Sequence, residues 1–238
     1  MIKFSQLKEL EYAALKGIMV ESSFGRLSSL KAAASKAHIV PAATSVPIDF
    51  NLSFTLPTRL REDGAVAVER EFHVGCYGEA TKGKDEICQL TYSVLIGAHG
   101  PPSKYVARKF HFDFEPVAAR NLAEPKPTFH LQMCGKLSGH HEDAGYAPGD
   151  IAHLLPAWSQ PRIPAQPMSL ALVLNWLFIE FGRDASISAA RTSPTWRKQV
   201  RAAERTILGP YFQSCADFLS QQANADESFY AKKIYEEH

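Results

Sequence analysis

The chain has no paired cysteines. Its four, Cys76, Cys88, Cys134 and Cys215, stand far apart with no CxxC among them, so neither a zinc knuckle nor a thioredoxin-type redox site is suggested, and reduced thiols are expected. Charge of one sign is missing too: 26 basic residues face 25 acidic ones, so the overall balance selects neither for nor against nucleic acid. There is no long hydrophobic run. The longest, Met168 to Phe181, falls short of the ~20 residues that span a bilayer and contains Asn175 and Glu180. The opening MIKFSQLKELEYAALKG is interrupted by Lys3, Lys8, Glu9, Glu11 and Lys16, which breaks the apolar core a signal peptide needs. These absences predict a soluble, cytoplasmic protein with no membrane partner.

What is present is an ordinary globular composition, 45% hydrophobic and 21% charged over 238 residues, which suits one α+β domain with helical additions. The expected division is a helical N-terminal segment over 1–45, an antiparallel sheet over 46–136, a loop over 137–166 and a helical C-terminal segment over 167–238. Ser5 is the candidate cap of a first helix in which Leu7, Leu10, Ala14 and Ile18 recur at helical spacing. A second helix is expected from about Ser28 to Ala37. From Val46 the period changes to two: IDFNLSFTLP puts Ile48, Phe50, Leu52 and Phe54 on one face and polar residues on the other. AVAVEREFHVGCYG reads as a second strand with Gly75 a candidate bend, CQLTYSVLIG as a third, VARKFHFDF as a fourth and TFHLQMC as a fifth. Five strands joined by short polar turns predict an α+β fold: an antiparallel meander with helices on its apolar face and a polar face left free. Three C-terminal helical segments are expected: Met168 to Phe181, one capped by Ser193 and Pro194 that reaches Leu208, and Tyr211 to Gln222 after a break or kink at Gly209 and Pro210.

Several patterns bear on chemistry. GEATKGKD, from Gly78, nearly matches a phosphate loop but ends in Asp85 where a hydroxyl is required, and a strand rather than a helix follows; a hairpin turn is the plainer reading. Asp113 followed by Glu124, Pro125 and Lys126 imitates a nuclease core, but the flanking prolines disrupt the strand such a core needs. His111 and Asp113 alternate on one strand, and His130 and Gln132 on the next. In suitable register, His111, Asp113 and His130 would converge on one zinc or manganese ion or one substrate proton; the plainer reading is a solvated sheet face. His140, His141, Glu142 and Asp143 on a Gly-rich loop serve either as ligands or simply as solvated polar residues. Arg162, held between prolines in QPRIPAQP, is a candidate anion-binding fork, or else an internal bridge to Asp113 or Glu115. Arg197, Arg201 and Arg205 recur every four residues with Lys198 beside them, a candidate phosphate-tracking stripe or a solvated helix face.

The order HFDFEP, PTFHLQMCG, PRIPAQPMSLALVLNWLFIEF resembles uncharacterised bacterial families associated with mobile elements and phage-defence islands. The resemblance covers Tyr105 to Phe181, and Gln132 stands where such patterns carry a second histidine. The leading expectation is a non-catalytic accessory or binding protein of such a system, without a cofactor, whose polar sheet face and arginine stripe engage a protein partner, a second copy of itself or a nucleic acid. The alternatives left open by the residues are a metal-dependent hydrolase or nuclease on the polar sheet face and a structural subunit that oligomerises through its sheet edge.

Overall fold

Alternation of apolar and polar residues builds the sheet. In the computed structural model, which describes residues 2–41, 45–58, 68–100, 103–116, 127–133, 162–181 and 184–221, six strands follow one another in spatial order as in sequence, every neighbouring pair antiparallel. They are β1 Ile48–Thr58, β2 Val68–Ala80, β3 Ile87–Gly100, β4 Ser103–Phe114, β5 Phe129–Met133 and β6 Arg162–Pro164. The expected meander and α+β class hold, with one strand more than five. β6 falls on the PRIP stretch expected to be a turn: Ile163 pairs with Leu131 and Arg162 with Gln132. The register irregularity in β2 lies between Glu79 and Ala80, not at Gly75, which stays in step with Ser93.

The apolar face carries Phe50, Leu52 and Phe54 of β1, Phe72 and Val74 of β2, Tyr92 and Val94 of β3, and Phe110, Phe112 and Phe114 of β4, all buried. Helices cover it. They are α1 Phe4–Val20, α2 Ser28–Lys36, α3 Leu170–Phe181, α4 Ala185–Thr192, α5 Pro194–Ala203 and α6 Gly209–Gln221, with a π-helical turn Glu204–Leu208 joining α5 to α6. α4 was not expected; Asp184 caps it by accepting from the Ser186 N–H at 2.7 Å. Gly209 and Pro210 do not break the chain into separate segments: the helix continues through a π-helical turn in which the Gly209 N–H donates to the Glu204 carbonyl five residues back, and Pro210 follows directly. Among the described residues no helix is long and apolar enough to cross a membrane.

Ser5 does not cap α1. Asp85, on the β2–β3 turn, reaches across the fold and accepts from the Ser5 N–H at 2.7 Å and the Ser5 hydroxyl at 2.6 Å, so a distant carboxylate satisfies the helix start. Those hydrogen bonds hold the Asp85 carboxyl below its usual range. The same turn contains Gly83 at φ 74°, a conformation glycine adopts freely. The GEATKGKD segment is therefore a hairpin connection, as its chemistry indicated.

Both sheet edges are blunted. On β1 the Ser29 hydroxyl accepts from the Thr55 N–H at 3.1 Å and donates to the Thr55 carbonyl at 3.0 Å, and Pro57 two residues on has no N–H to offer. β6 is three residues long and ends in Pro164.

α3 enters the core where its first N–H needs an acceptor, and Glu11 supplies it. The Glu11 carboxylate, 0% exposed, accepts from the Leu170 N–H at 3.0 and 3.2 Å and from the Tyr92 hydroxyl at 2.7 Å. Tyr92 is in turn hydrogen-bonded to the Cys76 thiol. Burial raises the Glu11 carboxyl to about 7, partly countered by the Tyr92 and Leu170 hydrogen bonds. A carboxyl raised on folding favours the native state at low pH and withdraws that contribution as pH rises through its folded pKa. We predict that stability falls between pH 5 and pH 8 by on the order of 3 kcal/mol from this group, and that Glu11→Gln flattens the slope. Urea denaturation across that range checks it; an equal slope in the variant would contradict it.

Candidate functional site: a cationic helix face and a polar sheet face

α5 begins with a complete start signal. Ser193 accepts from the Trp196 N–H at 3.2 Å and Pro194 fills the first helical position. One face then points inward: Trp196, Val200, Ala203 and Ile207 are buried. The Trp196 ring meets Phe24 at 5.4 Å and Phe178 of α3 at 5.8 Å, anchoring the helix in the core. α1 approaches closely at Gly17, where a Cβ would stand 3.4 Å from Cγ of Gln199. With the apolar face fixed, helical geometry turns Arg197, Lys198, Arg201 and Arg205 outward, and all four are exposed. Together with Pro194 they line a concavity of about 360 Å³. Arg205 lies in the π-helical turn, whose wider winding offsets the drift that four-residue steps accumulate in an α-helix. Among the described residues no carboxylate forms an ion pair with any of the four.

The sheet register decides which polar residues meet. Asp113 stands opposite His130 and His111 opposite Gln132, while β6 continues the second row from Gln132 to Arg162. His111, Asp113, His130, Gln132 and the Arg162 position therefore share one face. His130 Nε2 lies 3.6 Å from Asp113 Oδ2. Its Nδ1 is 2.9 Å from the Pro127 carbonyl oxygen, an acceptor only, so Nδ1 carries a proton and Nε2 turns to the carboxylate. Among the described residues no group of three His, Cys, Asp or Glu side chains is arranged to hold one metal ion. Glu124, Pro125, Lys126, Cys134, His140, His141, Glu142 and Asp143 lie outside the described residues.

The expectation that the polar face is left free is corrected at its centre. His73 is 3% exposed, Leu95 0%, Lys109 7% and His130 1%, and the register sets His73, Leu95 and Lys109 in one row across β2, β3 and β4. The signal was in the sequence: Val94, Leu95 and Ile96 are three apolar residues in succession, which only a strand buried on both faces explains.

No protein-family profile, curated protein or solved structure matches the chain. The site is accordingly read from its own geometry.

Two further groups escaped sequence reasoning. Glu11 looked like one more charge on a helix, and no local signal marks it as the acceptor for α3. The second is a cavity of about 240 Å³ between α1, the sheet and α6, whose wall comes from segments more than a hundred residues apart.

On the sheet face, burial, the neighbouring Lys109 charge and His130 together pull the His111 imidazole down to about 4. A depressed histidine contributes stability that is present above its unfolded pKa and lost as pH falls towards its folded value. His111 is therefore neutral at pH 7, and its NMR titration midpoint is expected near 4, with acid destabilisation between pH 6.5 and 4 that His111→Asn reduces. A midpoint near 6.5 would contradict the buried, cation-flanked environment.

Proposed function

We propose that the protein is a non-catalytic binding protein that engages nucleic acid through the cationic face of α5. The supporting observation is the concavity lined by Arg197, Lys198, Arg201 and Arg205. Cations four residues apart on a helix repel one another by a few tenths of a kcal/mol each, and Arg197 sits near the helix N-terminus, where the macrodipole disfavours a cation. The first turn holds no acid to offset either term. A polyanion lying along the face offsets both. From Arg197 to Arg205 the helix advances about 12 Å at 1.5 Å per residue, a span of three to four nucleotides of one strand at about 3.4 Å each. Arginine forks suit phosphate bidentately, and the contact is to backbone, so little sequence preference is expected. The resemblance of Tyr105 to Phe181 to families of mobile elements and phage defence fits an accessory role of this kind, in the cytoplasm.

A second reading is a metal-dependent hydrolase or nuclease on the sheet face, with zinc or manganese at His111, Asp113 and His130 and with Arg162 orienting an anionic substrate. The close approach of Asp113 and His130 favours it; it is disfavoured because, among the described residues, no three His, Cys, Asp or Glu side chains are arranged to hold one ion. The third reading, oligomerisation through a sheet edge, is disfavoured by the capping of Thr55 and the brevity of β6.

Fluorescence anisotropy with a labelled 20-nucleotide strand and duplex tests the first reading. Affinity is expected to fall with salt at a log–log slope of about −3, as three or four phosphate contacts require. Arg197→Glu with Arg201→Glu should weaken binding by at least about tenfold, while the two lysine substitutions retain most of it. Salt-insensitive binding, or binding unchanged by the charge reversal, would overturn this reading.

A further inference from the structure

The cavity of about 240 Å³ is larger than the ~150 Å³ void that admits benzene and lies at the junction of four parts of the fold. α1 contributes Leu7, β3 contributes Ile87 and Leu90, and the approach to α3 contributes Met168. One wall is aromatic. Phe114 and Phe129 stack at 4.8 Å, and the Tyr211 ring meets Phe129 edge-on at 5.5 Å. Among the described residues that line it none carries a formal charge at neutral pH; the polar groups among them are Thr128, Tyr211, Ser214 and Cys215, of which the last three come from α6. Protein interiors leave few voids larger than a water molecule, so an apolar one of this size, open on one side, is unusual.

α6 is an independent part of the observation. It covers the cavity, yet none of its residues is buried, whereas α1, α3 and α5 each bury a full stripe. It joins the core through the π-helical turn, whose Ile207 also lines the cavity. The helix is thus placed over an unfilled apolar space with little packing of its own, the arrangement expected where a guest completes the core. Tyr211 remains uncharged at every physiological pH: burial and its hydrogen bond with Cys215 push its hydroxyl up to about 12.

We infer that this cavity is a binding site for a small, neutral aromatic molecule of one or two rings, with α6 as its cover and the α6 side chains as partners for at most one polar atom of the guest. Size excludes long acyl chains, and the absence of charge in the lining excludes carboxylates and amines, whose desolvation would go uncompensated. The aromatic wall offers edge and face contacts to a planar guest, and Met168 adapts to its outline. This inference does not rest on the nucleic-acid reading, since it uses the opposite side of the π-helical turn.

Indole is the probe, a neutral bicycle with one N–H, and benzoate is its charged counterpart. Calorimetry and thermal unfolding on the full chain are expected to show saturable indole binding and a rise in Tm of about 3 °C at tenfold excess over Kd, with benzoate at least about tenfold weaker. Ser214→Trp, at an exposed rim position, fills the mouth with a tethered indole ring while leaving the core residues intact, and should abolish the response. Ile207→Phe, deeper on the same helical wall, fills the cavity from within and should do the same. Absence of any indole response in the wild-type protein, an equal response in folded Ser214→Trp, or equal affinity for benzoate would each overturn the inference.

Discussion

A single buried carboxylate, Glu11, ties α1, α3 and the sheet together. It lies wholly inside, on α1, and accepts from a sheet residue, Tyr92, and from the first N–H of α3, Leu170. Each partner answers a need. The N–H at the start of α3 enters the interior without water, and an unpaired buried donor costs about 1–3 kcal/mol; the Tyr92 hydroxyl is equally buried. A carboxylate away from solvent is costly in its own right, which is why desolvation outweighs the hydrogen bonds and raises its pKa. Once α1 and α3 are fixed on the sheet, the rest follows. Trp196 of α5 docks between Phe24 and Phe178, and the cationic face of that helix is exposed.

The cavity adjoins the same junction. α1 and the approach to α3 meet the sheet at Leu7, Met168 and Leu90 around the cavity, about one helical turn along α1 from Glu11. α6, the last described helix, arrives too shallow to fill it. Cationic face and cavity thus lie on opposite sides of one short π-helical turn, Arg205 outward and Ile207 inward.

The fold was legible wherever local periodicity decides structure. Ile48, Phe50, Leu52 and Phe54 announced β1, and the three alternating phenylalanines announced β4. The helices were legible from their stripes, α5 also from Ser193 and Pro194. The misses have a common physical cause, since each depends on a partner distant in sequence. Asp85 replaces Ser5 at the start of α1, Leu131 and Gln132 make a strand of Arg162–Pro164, and Glu11 is indistinguishable locally from Glu9. α4 escaped because it is only eight residues long and the one large apolar residue on its inward face is Ile187. For the candidate site, residue types were visible but exposure was not. The arginine stripe is exposed as one face, whereas the His111, Asp113 and His130 set, equally suggestive on paper, shares a face on which His130 is buried.

Charge and burial therefore divide the described residues into an exposed cationic face and a histidine-bearing face that is partly covered. The measurement that tests this division most directly is residue-resolved NMR of the isotope-labelled chain during titration with a short oligonucleotide. The account predicts shift changes confined to 194–205 and their immediate neighbours, in fast exchange and reversed by added salt. Changes centred on 111–113 and 130–132, or none at any residue, would contradict it.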